Sequence, residues 1–336
     1  MAAASALSWR LHRGVTFADD PFVRWARQPR TFVAIATVAG AVDVAIVSRA
    51  RGRNVLPAKV VALGAAGLLR LAAYRAVLWT DVRRTLATRV ERDEPPGELR
   101  LTVVVPAFEE AGRIGGTVCR LRDALVLDGG VEILVVDDGS SDATAAEAEA
   151  AGARVVRLDV NRGKGAAVRA GVAAARGRTI AFIDADLAYP PAQVLDLVAE
   201  VEAGWDVVVG NRRHPASRDE AGASRVRTLS GRAFNALTAS VLLGQYRDTQ
   251  CGLKAFRADA ARRVFGRARL DGFAFDVEVL HLVERDRLSL KEVPVTLVHA
   301  SGSTVRLGVD ATRMVRDLFR VRRWAARGDY DARRAL

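Results

Sequence analysis

After residue 99, short apolar runs alternate with longer amphipathic ones, and that alternation leaves few folds open. Leu101–Val105, Val131–Val136, Arg154–Leu158, Thr179–Ile183 and Asp206–Val209 predict buried strands. Ile114–Leu125, Ala143–Ala151, Ala166–Ala175 and Ala192–Val201 predict helices between them. A βαβα order implies an α/β domain with a mostly parallel sheet and helices on both faces. Ligands of such sheets sit at the carboxyl ends of the strands, so the residues just after each strand are the candidates for chemistry.

Those residues are polar and specific. The first strand leads into Pro106-Ala107-Phe108-Glu109-Glu110, where Pro106 is expected to stop the strand. The second leads into Asp137-Asp138-Gly139-Ser140-Ser141-Asp142. Asp142 fits a helix cap, but adjacent Asp137 and Asp138 repel and need a donor or cation. A carboxylate there can also accept from the imide N–H of a pyrimidine. The third precedes Asn161-Arg162-Gly163-Lys164-Gly165, which fits neither a P-loop nor a GxGxxG fingerprint. The fourth ends in Ile183-Asp184-Ala185-Asp186-Leu187. In extended chain, residues two apart face one side, so Asp184 and Asp186 make an oxygen site for Mg2+ or Mn2+. An ion there would neutralise a departing diphosphate.

From Leu101 to Ala326 the chain resembles inverting family 2 glycosyltransferases with the Rossmann-like GT-A fold, and most of all their dolichyl-phosphate β-glucosyltransferase branch. The likeness rests on VPAFEE, VDDGSSD, NRGKGAAVRAG, DADL, GNRR, DTQCGLKAF and GFAFDVEVL, in that order. It implies transfer of a sugar, glucose by likeness, from a UDP-sugar to a polyprenyl phosphate lipid with inversion to a β-linked product. Another hexose or hexosamine, a polysaccharide or protein acceptor, and a catalytically silent scaffold are the alternatives. The resemblance implies that Pro106, Phe108 and Glu110 border the nucleotide, that Asp137 or Asp138 meets the uracil, and that Lys164 lies near it. Asp184 and Asp186 would hold the metal and diphosphate, with Asp186, Asp276 and Arg212 in catalytic roles. Arg212, Arg225, Arg232 and Gln250 would receive the lipid phosphate. Asp276 is the candidate base, with Glu278 a weaker one. Asn211, Glu109 and Thr304 depart from the family pattern.

Upstream, residues 31–48 and 55–80 are apolar stretches near the ~20 residues of a spanning helix. They predict a transmembrane hairpin over 31–82, though Asp43, Lys59, Arg70 and Arg75 are costly in lipid. Arginines at 24, 27 and 30 and at 83, 84, 89 and 92 argue for cytoplasmic flanks, while Arg49, Arg51 and Arg53 make the turn basic as well. Residues 11–17 echo residues 73–79 in a way similar to GtrA-like membrane proteins, which implies that residues 1–30 are the remnant of a first hairpin. Pro95-Pro96-Gly97 marks a linker over 83–99, followed by a catalytic domain over 100–308 and a basic amphipathic helix and tail over 309–336. That last helix is expected to turn Met314, Val315, Leu318 and Phe319 to one side.

Composition adds limits. The formal charge is +12 and Cys119 and Cys251 stand alone, which argues against a disulfide scaffold or a zinc site. A basic chain suits phosphorylated substrates and an anionic membrane. No aromatic–basic alternation points to nucleic acid. A multi-pass membrane protein with a cytoplasmic catalytic domain is the expected setting.

Overall fold

The computed structural model describes residues 29–49, 59–66, 69, 88–89, 92–220, 238, 242, 246, 248–298 and 309–331. The chain divides into two compact units, Met1–Thr85 and Leu86–Leu336.

In the first unit, α1 spans Pro29–Arg49. Residues 59–66 are also helical, and Lys59 Nζ reaches Asp43 Oδ2 at 2.7 Å. Asp43, in the C-terminal half of a helix that is charged elsewhere only at Arg30 and Arg49, thus has a partner from the second apolar stretch. Ala39, Ala62 and Ala66 are buried, whereas Val33, Val38, Val44, Val60, Val61 and Leu63 are exposed. Among the described residues no helix is long and apolar enough to cross a membrane. Most of the predicted second span, Arg83 and Arg84 of its basic flank, and the 11–17 and 73–79 echo lie outside the described residues, whereas Arg89 donates to the Ala203 carbonyl at 3.0 Å and Arg92 pairs with Asp206 at 2.8 Å.

In the second unit, β1 (Leu99–Ala107), β2 (Val131–Asp137), β3 (Arg154–Arg157), β4 (Gly177–Phe182) and β5 (Val207–Asn211) occupy the predicted strand positions within two residues at each end. Between them lie α2 (Ile114–Ala124), α3 (Thr144–Ala150), α4 (Lys164–Ala174) and α5 (Gln193–Glu202). Downstream come β6 (Arg218–Asp219), β7 (Lys254–Arg257), α6 (Ala258–Phe265), α7 (Phe275–Arg285), β8 (Leu290–Pro294), β9 (Thr296–Leu297) and α8 (Val309–Ala326). The main sheet runs β3-β2-β1-β4-β7-β5-β8, and β6 pairs with β9. Only β7 is antiparallel to its neighbours in the main sheet. The mostly parallel sheet with helices on both faces is therefore borne out.

The alternation of side chains in β1 divides the core. Leu101, Val103 and Val105 pack with α2 and α5 on one face, while Val104 packs with α4 and α7 on the other. Pro106 does not stop the strand; it lies inside β1, level with Val136 of β2. The pairing of β1 with β4 already ends at Val104, level with Phe182, so the missing proline N–H interrupts no ladder on that side. The α8 expectation also needs correction. Met314, Leu318 and Val321 are buried at helical spacing, but Phe319 is 53% exposed. At about 100° per residue, position 319 lies about 130° around the helix from the centre of the face that enters the core, more than a third of a turn.

One core group carries a pH expectation. His281 of α7 is half-buried, but its Nε2 is shut off from solvent and has no hydrogen-bond partner among the described residues, and this burial with nearby Arg285 pushes its pKa down to about 4. The unfolded chain then binds the extra proton between about pH 6.5 and 4 while the folded chain does not, so stability falls on acidification through that window. Thermal unfolding should show a falling midpoint from pH 7 to 4.5, and His281→Leu should flatten that slope. An unchanged slope in the variant would contradict the assignment.

Candidate active site

The carboxyl ends of β1, β2 and β4 gather the predicted residues. After β1, Phe108 is 42% exposed, and Glu109 takes a positive φ of 53° that turns the chain outward. Ser140 Oγ accepts the Glu109 N–H at 2.9 Å, and Thr144 Oγ1 accepts that of Glu110 at 2.8 Å. The VPAFEE turn is thus fastened to the VDDGSSD segment. Burial raises the Glu110 pKa; Arg113, whose Nη1 donates at 2.8 Å, opposes this, and the Asp186 carboxylate adds to it. Glu110 therefore borders the Asp184/Asp186 site.

The two adjacent acids after β2 find their predicted compensation within the chain. Asp137 Oδ1 accepts the Ser140 N–H at 2.9 Å, and Arg157 Nε stands 3.3 Å from Oδ2. Asp138 accepts the backbone N–H groups of Arg162 at 2.9 Å and Gly163 at 2.6 Å. Both carboxylates are buried. Asp142 is not the cap expected of it: Ala143 stands at the N-cap without a side-chain bond, and Asp142, one residue further out, accepts the Thr144 N–H through Oδ1 at 3.0 Å.

Asp138 therefore holds the segment that presents Lys164. Gly163 sits at φ 111°, where a Cβ would lie 2.6 Å from the Asp271 carbonyl, so glycine is required there. The same carbonyl accepts the Gly165 N–H at 2.7 Å. Lys164, the first residue of α4, pairs through Nζ with Asp184 Oδ1. Burial works against this ammonium, yet the carboxylates of Asp184, Asp276 and Asp186 together hold its pKa above the usual lysine value.

Asp184 and Asp186 follow β4 in a turn closed by the Leu187 N–H on the Asp184 carbonyl at 3.1 Å, where the expectation was extended chain, and both are half-buried between buried Ile183, Ala185 and Leu187. Thr117 Oγ1 donates to the Ala185 carbonyl at 2.7 Å, and Leu187 adopts a positive φ of 46°. Asp186 Oδ1 accepts the Ala188 N–H at 3.1 Å. Among the described residues no group of three or more His, Cys, Asp or Glu could hold a metal by itself.

Across the cleft, Arg212 follows β5 and forms a two-pronged pair with Asp248. Nε reaches Oδ2 and Nη2 reaches Oδ1, each at 2.7 Å, and the Arg212 N–H adds a bond at 3.0 Å. The Arg212 side chain is 42% exposed while Asp248 is buried; their pairing raises the Arg212 pKa and, against burial, lowers that of Asp248. Gln250, on the same loop, donates its N–H to Asp248 Oδ1 at 3.3 Å. Asp276 opens α7 and accepts from Lys254 Nζ at 2.7 Å; burial raises its pKa against the pull of Lys254 and Lys164. Glu278 does not serve as a base. It is fully buried and accepts the N–H groups of Arg269 and Leu270 at 2.9 and 2.7 Å and the Tyr330 hydroxyl at 2.6 Å. Arg225, Arg232 and the Ser301–Arg306 loop lie outside the described residues. Sequence reasoning missed Asp248 and Lys254 as site residues; a lysine inside the apolar run Leu253–Phe256 was the available signal.

Comparisons with known proteins bear on the family and the fold. Residues 102–265 match the family described as Glycosyl transferase family 2. A dolichyl-phosphate beta-glucosyltransferase of Drosophila melanogaster is 34% identical over 247 residues, covering 68% of this chain and 76% of that protein. The Saccharomyces cerevisiae protein of the same name is 30% identical over 269 residues, covering 72% and 79%. Among solved structures, glucosyl-3-phosphoglycerate synthase from Mycobacterium tuberculosis, in complex with Mn2+, UDP and glucosyl-3-phosphoglycerate, aligns with a TM-score of 0.53. It is 23% identical, with 72% of this chain and 83% of that one covered, a likeness that speaks to the GT-A-like fold. Because its likeness to these enzymes extends over three quarters of their length and takes in the residues at the strand ends, the chain belongs to glycosyl transferase family 2.

Proposed function

We propose that the protein transfers glucose from UDP-glucose to a polyprenyl phosphate, with inversion at the anomeric carbon. One observation carries this reading: Lys164 joins Asp184 at the diphosphate side of the cleft, within the field of Asp276 on the acceptor side. The relatives named dolichyl-phosphate beta-glucosyltransferase, at 30–34% identity, supply the donor sugar and acceptor class.

The donor set suits a hard divalent cation. Asp184 and Asp186 offer carboxylate oxygens from one turn after β4, and Mg2+ or Mn2+ would complete its shell with diphosphate oxygens and water. Bound there, the ion would neutralise charge developing on the leaving UDP. Lys164 keeps Asp184 aimed at that position. Phe108 offers an exposed ring to the base.

A lipid phosphate, with a second pKa near ~6, is mostly a dianion at neutral pH. It needs orientation and charge balance more than a base. Arg212 engages Asp248 through Nε and Nη2, which leaves Nη1 for an anion, and Arg225 and Arg232 are further cations for the lipid phosphate. Gln250 lies beside this cluster. Asp276 orients the acceptor or the sugar hydroxyls. A single in-line displacement would convert an α-linked UDP-sugar into a β-linked lipid phosphate sugar.

The acceptor implies a membrane. The exposed valines of the first unit and the arginine-rich outer face of α8 support a membrane-anchored protein with its catalytic domain in the cytoplasm. Full-length protein should sediment with membranes and resist alkaline carbonate. Recovery in the soluble fraction without detergent would contradict the anchor. A screen of UDP- and GDP-sugars with polyprenyl phosphate, read by mass spectrometry of the lipid, tests the chemistry. A hexose adduct with UDP-glucose is expected. Absence of any lipid adduct, or an adduct only with another donor, would overturn the assignment.

A further inference from the structure

Lys254 is fully buried in β7, at a point where the sheet would otherwise take an apolar side chain. Its ammonium donates to the Cys251 carbonyl at 2.6 Å and to Asp276 Oδ1 at 2.7 Å, and lies 5.3 Å from the centre of the Phe182 ring. A buried charge persists only when it is paired and hydrogen-bonded, and here every partner is supplied from a different segment. Cys251 belongs to the loop that packs on Asp184, Phe182 ends β4 just before the DAD motif, and Asp276 begins the acceptor-side helix α7. The carbonyl and the ring fix the ammonium, and the ammonium in turn fixes one oxygen of Asp276. Among the described residues Asp276 Oδ2 accepts no hydrogen bond, so it is the oxygen left to the cleft.

We propose that Lys254 is a positioning residue for the transfer reaction: it pins Asp276 Oδ1 so that Oδ2 faces the acceptor, without itself touching substrate. This rests on the acceptor-side reading of Asp276 given above. Surface lysines of the sheet cannot substitute, because the pairing is closed to water. An apolar residue at 254 would fit the core as well and leave Asp276 unheld.

The test compares kcat and UDP-glucose KM for full-length wild type, Lys254→Met, Asp276→Asn and the double variant, with vesicles containing polyprenyl phosphate. A group that acts through another gives strongly non-additive losses. Lys254→Met should lower kcat about 10²-fold, as a misplaced catalytic group does, with the UDP-glucose KM within about 3-fold of wild type. In the Asp276→Asn background the same replacement should change kcat by less than about 3-fold. The double variant removes the stranded carboxylate, so it carries the comparison with Asp276→Asn even if Lys254→Met alone does not fold. A further multiplicative loss in the double variant would overturn the positioning role while leaving the proposed function intact. Full activity of Asp276→Asn would instead overturn the acceptor-side reading, and the Lys254 proposal with it.

Discussion

Asp186→Asn is expected to lower glucosyl transfer by at least about 10³-fold, the scale on which removal of a preorganised charge-stabilising group is felt. The replacement should leave the fold intact. Asp186 lies after β4 at the edge of the cleft, and an Asn carbonyl can accept the Ala188 N–H that Oδ1 accepts at 3.1 Å. What it loses is one of two anionic oxygen donors. The other, Asp184, is already paired with Lys164, so a single remaining carboxylate would hold a divalent ion poorly. Excess chelator should affect the wild type in the same way. Full activity in chelator, or in the variant, would contradict the metal assignment.

Gly252→Ala is expected to have the second largest effect, although Gly252 bears no functional group. A Cβ at this position would lie 2.9 Å from Asp184 Cγ and closer still to Oδ2. The atoms in the way are the end of a short side chain, so the carboxylate would move and the backbone would hold. Stability should change little. A shift of about 1 Å in a positioned group can cost about 10²-fold in rate, and a loss of that order in kcat is expected. Mn2+ binding, followed by the magnetic resonance signal of the free ion, should weaken about 10-fold, since one of two protein donors is displaced. Wild-type Mn2+ affinity in a folded Gly252→Ala protein would show that the loop does not set the Asp184 position.

The half of the catalytic unit that is legible in the sequence is the half built from parallel strands. Buried runs such as Val131–Val136, followed by amphipathic segments such as Ile114–Leu125 or Ala192–Val201, carry their own period, and the structure keeps those elements within two residues at each end. Between Asn211 and the C-terminal helix the chain carries no such pattern. β7 has four residues, one of them a charged lysine, and it enters the sheet antiparallel between β4 and β5. Nothing local announces that pairing. Asp184 and Asp186 were readable as a pair of acids at a strand end, although the structure holds them in a turn closed by the Leu187 N–H on the Asp184 carbonyl and not in extended chain, and Lys164 was readable because glycines flank it. Asp137, Asp138 and Glu278 were readable as important but not in role, because their partners are set by tertiary contacts. Asp138 meets Arg162 and Gly163, and Glu278 meets Tyr330, 52 residues away. Pro106 was misread because its effect depends on where β4 stops pairing with β1.

The central claim is that the chain glucosylates a polyprenyl phosphate by one displacement, with Asp184, Asp186 and Lys164 serving the diphosphate and Asp276 the acceptor. The most direct measurement is NMR of the purified glycolipid formed from UDP-glucose and polyprenyl phosphate, read for the anomeric configuration of the sugar on the lipid phosphate. The account predicts a β-linked glucosyl phosphate. An α linkage, or glucose recovered only in a water-soluble product, would contradict it.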